Sequence, residues 1–446
     1  MPREQHETGR YLVLLCQDRP QEGVKKLIQI TGASLVRASA GKSKTGKSAK
    51  LAPQCALVFD RLGVALLRCE LSKQAMLERA VADSDGAILA VEPERTVYAV
   101  GRSQVSIPTP VPPDASLDAH DHDHDALLQA YLKGYGDAVD DLAERLALGR
   151  WKAEETRPGA AADESRLTWG IQAIKAGQSS YSGKGVRLAI LDTGMDMQHP
   201  DFAGRDMASR SFVDGQTVQD GNGHGTHCAG IACGPAQPAG GPRYGVAGDA
   251  QLYVGRVLSD EGSGGDGGVL EGINWAVENQ CRVVSMSLGS PVEPGQGYSK
   301  VFEEAARRAL AAGTVIIAAA GNDSQRPGVI APVSHPANCP AIMAVAAIDQ
   351  HMRIAPFSSG GLEADGGQVD VAGPGVAVLS AWPGPARYRS LSGTSMATPF
   401  VAGVAALLVD AQGDINGHAL LGRIVQSTRR MALPSRDVGA GLIQAP

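Results

Sequence analysis

The sequence predicts an α/β protein with a mostly parallel sheet and helices on both faces, preceded by a small ferredoxin-like α+β region. Two patterns predict this. After about residue 167, apolar runs typical of buried parallel strands alternate with helical patterns to the end of the chain. Before residue 100, shorter runs and two helical patterns follow the order β-α-β-β-α-β. With 446 residues, the chain is long enough for at least two domains.

The first hundred residues supply the elements of the smaller region. Short apolar runs predict its strands, and amphipathic stretches predict its helices. The strands are expected at 11–16, 34–38, 56–59, 64–69 and 88–91, the helices at 22–30 and 72–82, and a lysine-rich loop at 41–50. An unrelated α+β module would show the same order, so topology alone leaves the identity of this region open.

Residues 101–166 are predicted to link the two regions. Proline alternates with small residues at 106–113, which favours an extended chain. The His-Asp tract at 120–125 could bind a transition metal through alternate imidazoles, but a solvated linker needs no such role and is the default interpretation. Apolar residues recur at helical spacing over 126–149, which predicts an amphipathic helix.

The larger region is expected to span residues 167–446. Its strands are predicted at 186–191, 251–257, 282–288, 315–320 and 341–347, and its helices at 269–279, 301–312 and 395–410. Functional sites in such sheets lie at the carboxyl ends of the strands, where Asp192, Leu288 and Asn322 fall.

Short motifs in this region carry the residue types of nucleophilic catalysis. Ser395 opens a helix in Gly-Thr-Ser-Met-Ala-Thr-Pro, where the helix dipole and free backbone N–H groups stabilise a nearby anion. A serine hydroxyl needs a base and an orienting carboxylate, which His224 and Asp192 can supply. Asn322, after a strand and a glycine, can donate to an oxyanion. Singly, each could be an ordinary cap or turn residue, but their joint occurrence favours catalysis.

With its Asp, His, Ser order, the chain resembles the subtilisin-like serine proteases, peptidase family S8 or subtilases. The resemblance covers about 280 residues. It implies a serine endopeptidase that acts through an acyl-enzyme, with Asp192, His224 and Ser395 as the triad. It also implies that Asn322 and the Ser395 backbone N–H form the oxyanion hole.

The resemblance also implies where a peptide substrate binds. An extended peptide gains affinity by adding a strand to exposed backbone edges. The family's flanking segments correspond here to Gly262, Ser263 and Gly264 on one side and Ser287, Leu288 and Gly289 on the other. The wall of the first specificity pocket corresponds to Ala319, Ala320 and Gly321.

The resemblance also implies roles for Asp201 and Cys228. Asp201 matches a carboxylate of the calcium site of many relatives, yet the loop at 234–242 has no Asn or Asp to complete it. Backbone carbonyls could still serve, so we expect that no cofactor is required and that calcium remains possible. Cys228 matches the thiol of the proteinase-K-like members, which mercurials inhibit, although buried cysteines commonly only pack.

Residues 1–100 resemble the prodomains that precede such catalytic domains. These act as folding chaperones and inhibitors, and they end in a strand that leads to the cleaved bond; 91–100 looks like that end. The resemblance therefore implies a zymogen inhibited by its own N-terminal domain. A spacer of about 65 residues departs from the close junction usual in the family.

Composition limits the partners and the compartment. A formal net charge of −6 gives no reason to expect nucleic acid, so protein or peptide substrates are the expected partners. Seven scattered cysteines fit reduced thiols. No secretory signal is visible, and no apolar run approaches the ~18 residues of a membrane span. These features predict a cytoplasmic protein, although a chain trimmed of its signal would look the same.

Two other function classes have to be weighed. A protease-like scaffold with a permanently occupied cleft would be a binding protein, but an intact triad argues against it. An esterase or peptide ligase would keep the triad, but the peptide-edge segments favour proteolysis.

Overall fold

The computed structural model describes residues 9–38, 55–82, 86–99, 163–363, 365–413, 415 and 417–446. The predicted His-Asp tract at 120–125, the helix at 126–149 and the lysine-rich loop at 41–50 lie outside the described residues. The described N-terminal residues and those from 163 onwards belong to one compact unit. The boundaries 1–100, 101–166 and 167–446 remain predictions.

The N-terminal region is a small sheet with two helices. Its strands are β1 (Arg10–Leu15), β2 (Ser34–Arg37), β3 (Cys55–Phe59), β4 (Val64–Arg68) and β5 (Ile88–Pro93), and its helices are α1 (Pro20–Thr31) and α2 (Leu71–Val81). The strand order is β2-β3-β4-β1-β5. β3, β4, β1 and β5 pair antiparallel as in a ferredoxin-like sheet. β2, which the sequence analysis expected at 34–38, pairs parallel to β3 and is a fifth, edge strand beside the four strands of the β-α-β-β-α-β order.

Both faces of this sheet are buried, because successive side chains point to opposite faces and β1, β3 and β4 each bury at least four consecutive residues. On one face Val13 packs in a cluster with Leu27 of α1 and Leu77 of α2. On the other face Leu12 and Leu14 join the core of the larger region. The helices and the larger region therefore cover opposite faces of the sheet.

The larger region is built on a seven-stranded sheet of order β15-β14-β13-β11-β7-β9-β8 with parallel pairings throughout. Its strands are β7 (Arg187–Asp192), β8 (Ala208–Ser211), β9 (Gln251–Arg256), β11 (Val283–Met286), β13 (Val315–Ala319), β14 (Met343–Ile348) and β15 (Val371–Pro374). Short strands outside it are β6 (Thr96–Ala99), β10 (Ser263–Gly265), β12 (Leu288–Gly289), β16 (Val378–Ala381) and β17 (Tyr388–Leu391). The five predicted strands correspond to β7, β9, β11, β13 and β14, whereas β8 and β15 were not predicted. Residues 188–191 of β7 and all of β13 are buried and apolar, as expected for strands covered on both faces.

The helices of the larger region are α3 (Trp169–Ala173), α4 (His224–Cys233), α5 (Asp266–Glu278), α6 (Lys300–Ala311), α7 (Thr394–Gln412), α8 (Gly417–Gln426) and α9 (Ser435–Val438). Single 3₁₀ turns occur at Ala176–Gln178, Pro200–Phe202 and Gly384–Ala386. α4 and α7 pack against each other, and α7 also packs on β14 and β15. The N-termini of these two helices carry His224 and Ser395.

α7 is longer and more apolar than the sequence analysis expected of any segment. Its 19 residues are long and apolar enough, by length and composition alone, to allow a membrane span. However, nearly all of α7 is buried inside the protein. We therefore describe α7 as the central core helix.

Candidate active site

Asp192 and His224 form a buried pair at the carboxyl end of the sheet. β7 ends at Asp192, and α4 begins at His224 after Gly223, whose φ of 100° suits a glycine. His224 Nδ1 lies 2.7 Å from Asp192 Oδ1, and Thr193 N donates to the same oxygen at 2.8 Å. The carboxylate therefore fixes both the position and the tautomer of the imidazole.

The charge of Asp192 also sets the protonation of His224. Burial lowers the pKa of His224, but the charge and hydrogen bond of Asp192 outweigh it and raise the pKa well above its usual value. By contrast, burial lowers the pKa of His227 to about 3. His227 Nε2 lies within hydrogen-bond distance of two backbone carbonyls, so this second histidine is a neutral packing residue behind the site.

Asp220 holds the start of α4, and the sequence analysis missed it. Its buried carboxylate accepts hydrogen bonds from Thr193 Oγ1 at 2.9 Å and from Gly223 N at 2.8 Å. It also accepts from Asn222 N and from both the backbone and hydroxyl of Thr226. Asp220 lies a few residues before the start of α4, and an aspartate at such a position is a capping signal from which its role could have been predicted.

Ser395 lies at the first turn of α7 and is fully buried. Its Oγ donates to the Ser287 carbonyl at 3.1 Å, and Ser287 Oγ donates to the Ser395 carbonyl at 2.8 Å. Cys228 lies between His224 and Ser395. Its Sγ is 3.9 Å from His224 Nδ1 and donates to the Ser395 carbonyl at 3.6 Å. His224 Nε2 is buried and makes no hydrogen bond with the described residues.

Asn322 lies beside Ser395 with its amide held in one orientation. Its Oδ1 accepts from Thr394 N at 2.9 Å and from Thr394 Oγ1 at 3.0 Å. Gly321, with a φ of 113°, donates from its backbone N to the same threonine hydroxyl. Because the carbonyl oxygen is engaged by two donors, the NH₂ group is the part of Asn322 that can serve a ligand.

The segments expected to flank a peptide lie on either side of β6. β6 pairs antiparallel with β10 on one edge and with β12 on the other, forming a three-stranded sheet. Val97 is opposite Gly264, Tyr98 is opposite Ser263 and Gly289, and Ala99 is opposite Leu288. Ala99 N also donates to the Gly262 carbonyl at 2.8 Å. The N-terminal region thus places a strand where these segments would bind a peptide.

The expected pocket residues follow β13 directly. Ala319 and Ala320 are fully buried, and Gly321 is buried between them and Asn322. Ala320 N donates to the Val345 carbonyl of β14, which ties this turn to the sheet. The small side chains bring the backbone of this turn close to the start of α7.

Two glutamates of the N-terminal region cap helices of the larger one. Glu92 accepts from Ser299 Oγ at 2.5 Å and from Lys300 N at 2.7 Å, at the start of α6. Glu94 is buried, accepts from Gly267 N at 2.9 Å at the start of α5, and pairs with Arg10 at 2.6 Å. Carboxylates are stabilising at helix N-termini, so both contacts favour attachment of the N-terminal region.

Asp201 does not fit a calcium ion. Its carboxylate accepts hydrogen bonds from Ala239 N at 2.6 Å, from the Tyr388 hydroxyl at 3.1 Å and from the Tyr244 hydroxyl. Burial and the bond to Asp201 raise the pKa of Tyr244, so its hydroxyl stays protonated. The loop after α4 presents an N–H group rather than a carbonyl to this carboxylate. Hydrogen-bond donors therefore surround the oxygens that calcium would need.

Comparison with known proteins identifies the relatives of the larger region. The subtilase family model, peptidase S8, matches residues 183–441. The chain is 40% identical over 283 residues to a thermostable alkaline protease of Halalkalibacterium halodurans, covering 63% of this chain and 72% of that protein. It is 37% identical over 281 residues to subtilisin DY of Bacillus licheniformis, covering 62% and 96%, and 40% identical over 282 residues to subtilisin E of Bacillus subtilis, covering 62% and 70%.

The family match includes the seven-stranded sheet and the motifs around Asp192, His224, Asn322 and Ser395. Since the family match extends over more than half of the chain, and the relatives are covered over most of their length, this protein belongs to the subtilase family of serine endopeptidases.

Proposed function

We propose that this serine endopeptidase is made as a self-inhibited zymogen and hydrolyses peptide bonds through an acyl-enzyme formed on Ser395. The observation that carries the zymogen proposal is the position of β6, which lies in register between β10 and β12. The pairing of His224 with Asp192 at 2.7 Å supports the assignment of the base.

In the proposed acylation step, Ser395 Oγ attacks the carbonyl carbon of the scissile bond. His224 Nε2 takes the hydroxyl proton and then gives it to the leaving amine as the C–N bond breaks. Asp192 stays ionised and stabilises the imidazolium. Because Ser395 Oγ donates to the Ser287 carbonyl in this structure, it must rotate towards His224 for the step to begin. Water then hydrolyses the acyl-enzyme by the same proton route.

The tetrahedral oxyanion is stabilised in this proposal by Asn322 and the backbone N–H of Ser395. The Thr394 bonds to Asn322 Oδ1 support this role, because they direct the NH₂ group away from Thr394. A donor that is already oriented needs no reorganisation when the charge develops.

Inhibition follows from strand addition by the N-terminal region. β6 uses the backbone edges that a substrate would need, and the capping contacts of Glu92 and Glu94 hold it in place. Activation then requires that this strand leave the cleft, either by dissociation or by digestion. The bond that is cut remains a prediction, near Val100.

A casein assay on the purified full-length chain, with and without a serine-directed phosphonate, tests the proposal. We expect hydrolysis to appear after a lag and the phosphonate to abolish it. A folded protein that never hydrolyses casein would instead be a permanently blocked scaffold. A protein that cleaves simple esters but no peptide bond would be an esterase.

A further inference from the structure

Arg95 of the N-terminal region contacts a buried histidine and aspartate that the triad does not use. Its Nη1 lies 2.9 Å from His335 Nδ1, and His335 Nε2 lies 3.0 Å from Asp266 Oδ1. His335 and Asp266 belong to the larger region and are 0% and 2% exposed. The half-buried Arg95 lies in the chain between β5 and β6, directly before the strand that occupies the cleft.

The chemistry of the three groups fixes their hydrogen bonds. A guanidinium can only donate, so His335 Nδ1 must be the acceptor and its Nε2–H must donate to Asp266. His335 is therefore neutral, and it connects the guanidinium to the carboxylate. The ring of Phe302 packs edge-on against His335, with centroids 4.7 Å apart, and holds the imidazole plane.

Asp266 also binds the backbone of the same residue. Arg95 N donates to Asp266 Oδ2 at 3.1 Å, and Asp266 N donates to the Arg95 carbonyl at 3.1 Å. Any residue of an extended peptide except proline can make these two main-chain bonds. Only a long side chain that carries a donor at its end can also reach His335.

We propose that Asp266 and His335 form a specificity-determining subsite for arginine in peptides bound along β10 and β12. The arginine lies four residues before the one opposite Leu288, as Arg95 does relative to Ala99. This inference rests on the proposed function, because it treats β6 as a peptide-like occupant of the cleft. Arginine suits the subsite because its long side chain ends in a planar guanidinium that can donate a hydrogen bond to the imidazole. The carboxylate of Asp266 disfavours an acidic side chain at the same position.

Quenched fluorescent peptides that copy residues 92–104 test the subsite on the purified, active-site-titrated protein. Position 95 is arginine, citrulline, alanine or glutamate, and a peptide with Thr96→Ser is the control. We expect kcat/KM to fall roughly tenfold for citrulline and alanine and further for glutamate, mainly through KM, because a hydrogen bond from a charged donor is lost. The control should stay within about twofold of the parent.

The same peptides are then measured with the Asp266→Asn variant. In this variant the preference for arginine over citrulline should disappear, because the carboxylate behind His335 is gone. Equal kcat/KM for arginine, citrulline and alanine with the parent protein would overturn the subsite and leave the proposed protease function standing. A failure to cleave any of the peptides would contradict the proposed function itself.

Discussion

Arg308, buried in α6, donates from Nη1 to the backbone carbonyl of Leu62 at 2.7 Å. Its Nη2 donates to the Leu15 carbonyl at 3.0 Å, and its Nε pairs with Glu304. Both carbonyls belong to the N-terminal region, one at the end of β1 and one in the turn before β4. A single side chain of the larger region thus satisfies two backbone acceptors of the N-terminal region.

We predict that Arg308→Met shortens the lag before the full-length protein becomes active. Two buried carbonyls would lose their donor, which costs about 1–3 kcal/mol for each unsatisfied group and weakens the attachment of the N-terminal region. Hydrolysis of a fluorogenic peptide by freshly purified protein measures the lag. Arg307→Met is the matched control, because Arg307 is next to it on α6 with a side chain that is 63% exposed. Equal lags in the parent and both variants would show that the Arg308 contacts do not hold the N-terminal region in place.

The His224 and Asp192 pair predicts a pH dependence. Catalysis needs neutral His224, so kcat/KM should rise as the pH increases through the raised pKa of His224 and be lost below it. Asp192→Asn removes the charge that raises this pKa and leaves burial to lower it. The acid limb should therefore move to lower pH, and kcat should fall by about 10⁴. A pH profile with an unmoved acid limb would show that Asp192 does not set the protonation of His224.

The contacts of Thr394 with Asn322 predict a graded loss of turnover. Asn322→Ala should lower kcat by about 10²–10³ with little change in KM, as the loss of such a donor does in subtilisin. Thr394→Val removes only one of the two bonds to Asn322 Oδ1, so the loss should be smaller, and Thr394→Ser should remain close to the parent. Steady-state kinetics on titrated active sites give these values. A variant Asn322→Ala that changed KM alone would place this residue in substrate binding.

Cys228 predicts sensitivity to mercurials. Its thiol and the ligand atoms of His224 and Asp192 lie within 4.8 Å of one another, so a soft metal bound at the sulfur would block the base. Burial raises the pKa of the Cys228 thiol, so alkylating agents should react slowly. Cys228→Ala should stay active and resist mercurials, whereas Cys233→Ala, at the other end of α4, should remain sensitive. Equal inhibition of both variants would point to another of the seven cysteines.

The main strands, helices and motifs could be predicted because their signals are local. Residues 188–191 of β7 and all of β13 are apolar and buried, and the motifs around His224 and Ser395 each occupy only a few residues. The bounds of α5 were less predictable, because its first turn begins with Asp266 and two glycines. Its N-terminus is completed by Glu94 from the other region, which no local pattern indicates.

The remaining features depend on contacts between residues distant in the sequence. Asp201 looks like a metal ligand until Tyr244 and Tyr388 are seen to donate to it from 43 and 187 residues away. Arg308 lies on an amphipathic helix where arginine usually faces solvent. The pairing of His335 with Asp266 likewise joins residues 69 positions apart. Tertiary packing alone gives such residues their roles.

We propose that Ser395 is the nucleophile of a protease that processes its own N-terminal region. This is tested by mass spectrometry of the intact Ser395→Ala protein during incubation, beside the parent chain. The parent should shorten at a rate independent of its concentration, as expected for a strand cut within its own molecule, while the variant should keep its full mass and its fold. If the Ser395→Ala protein were cut at the same bond with no other protease present, Ser395 could not be the nucleophile of this processing.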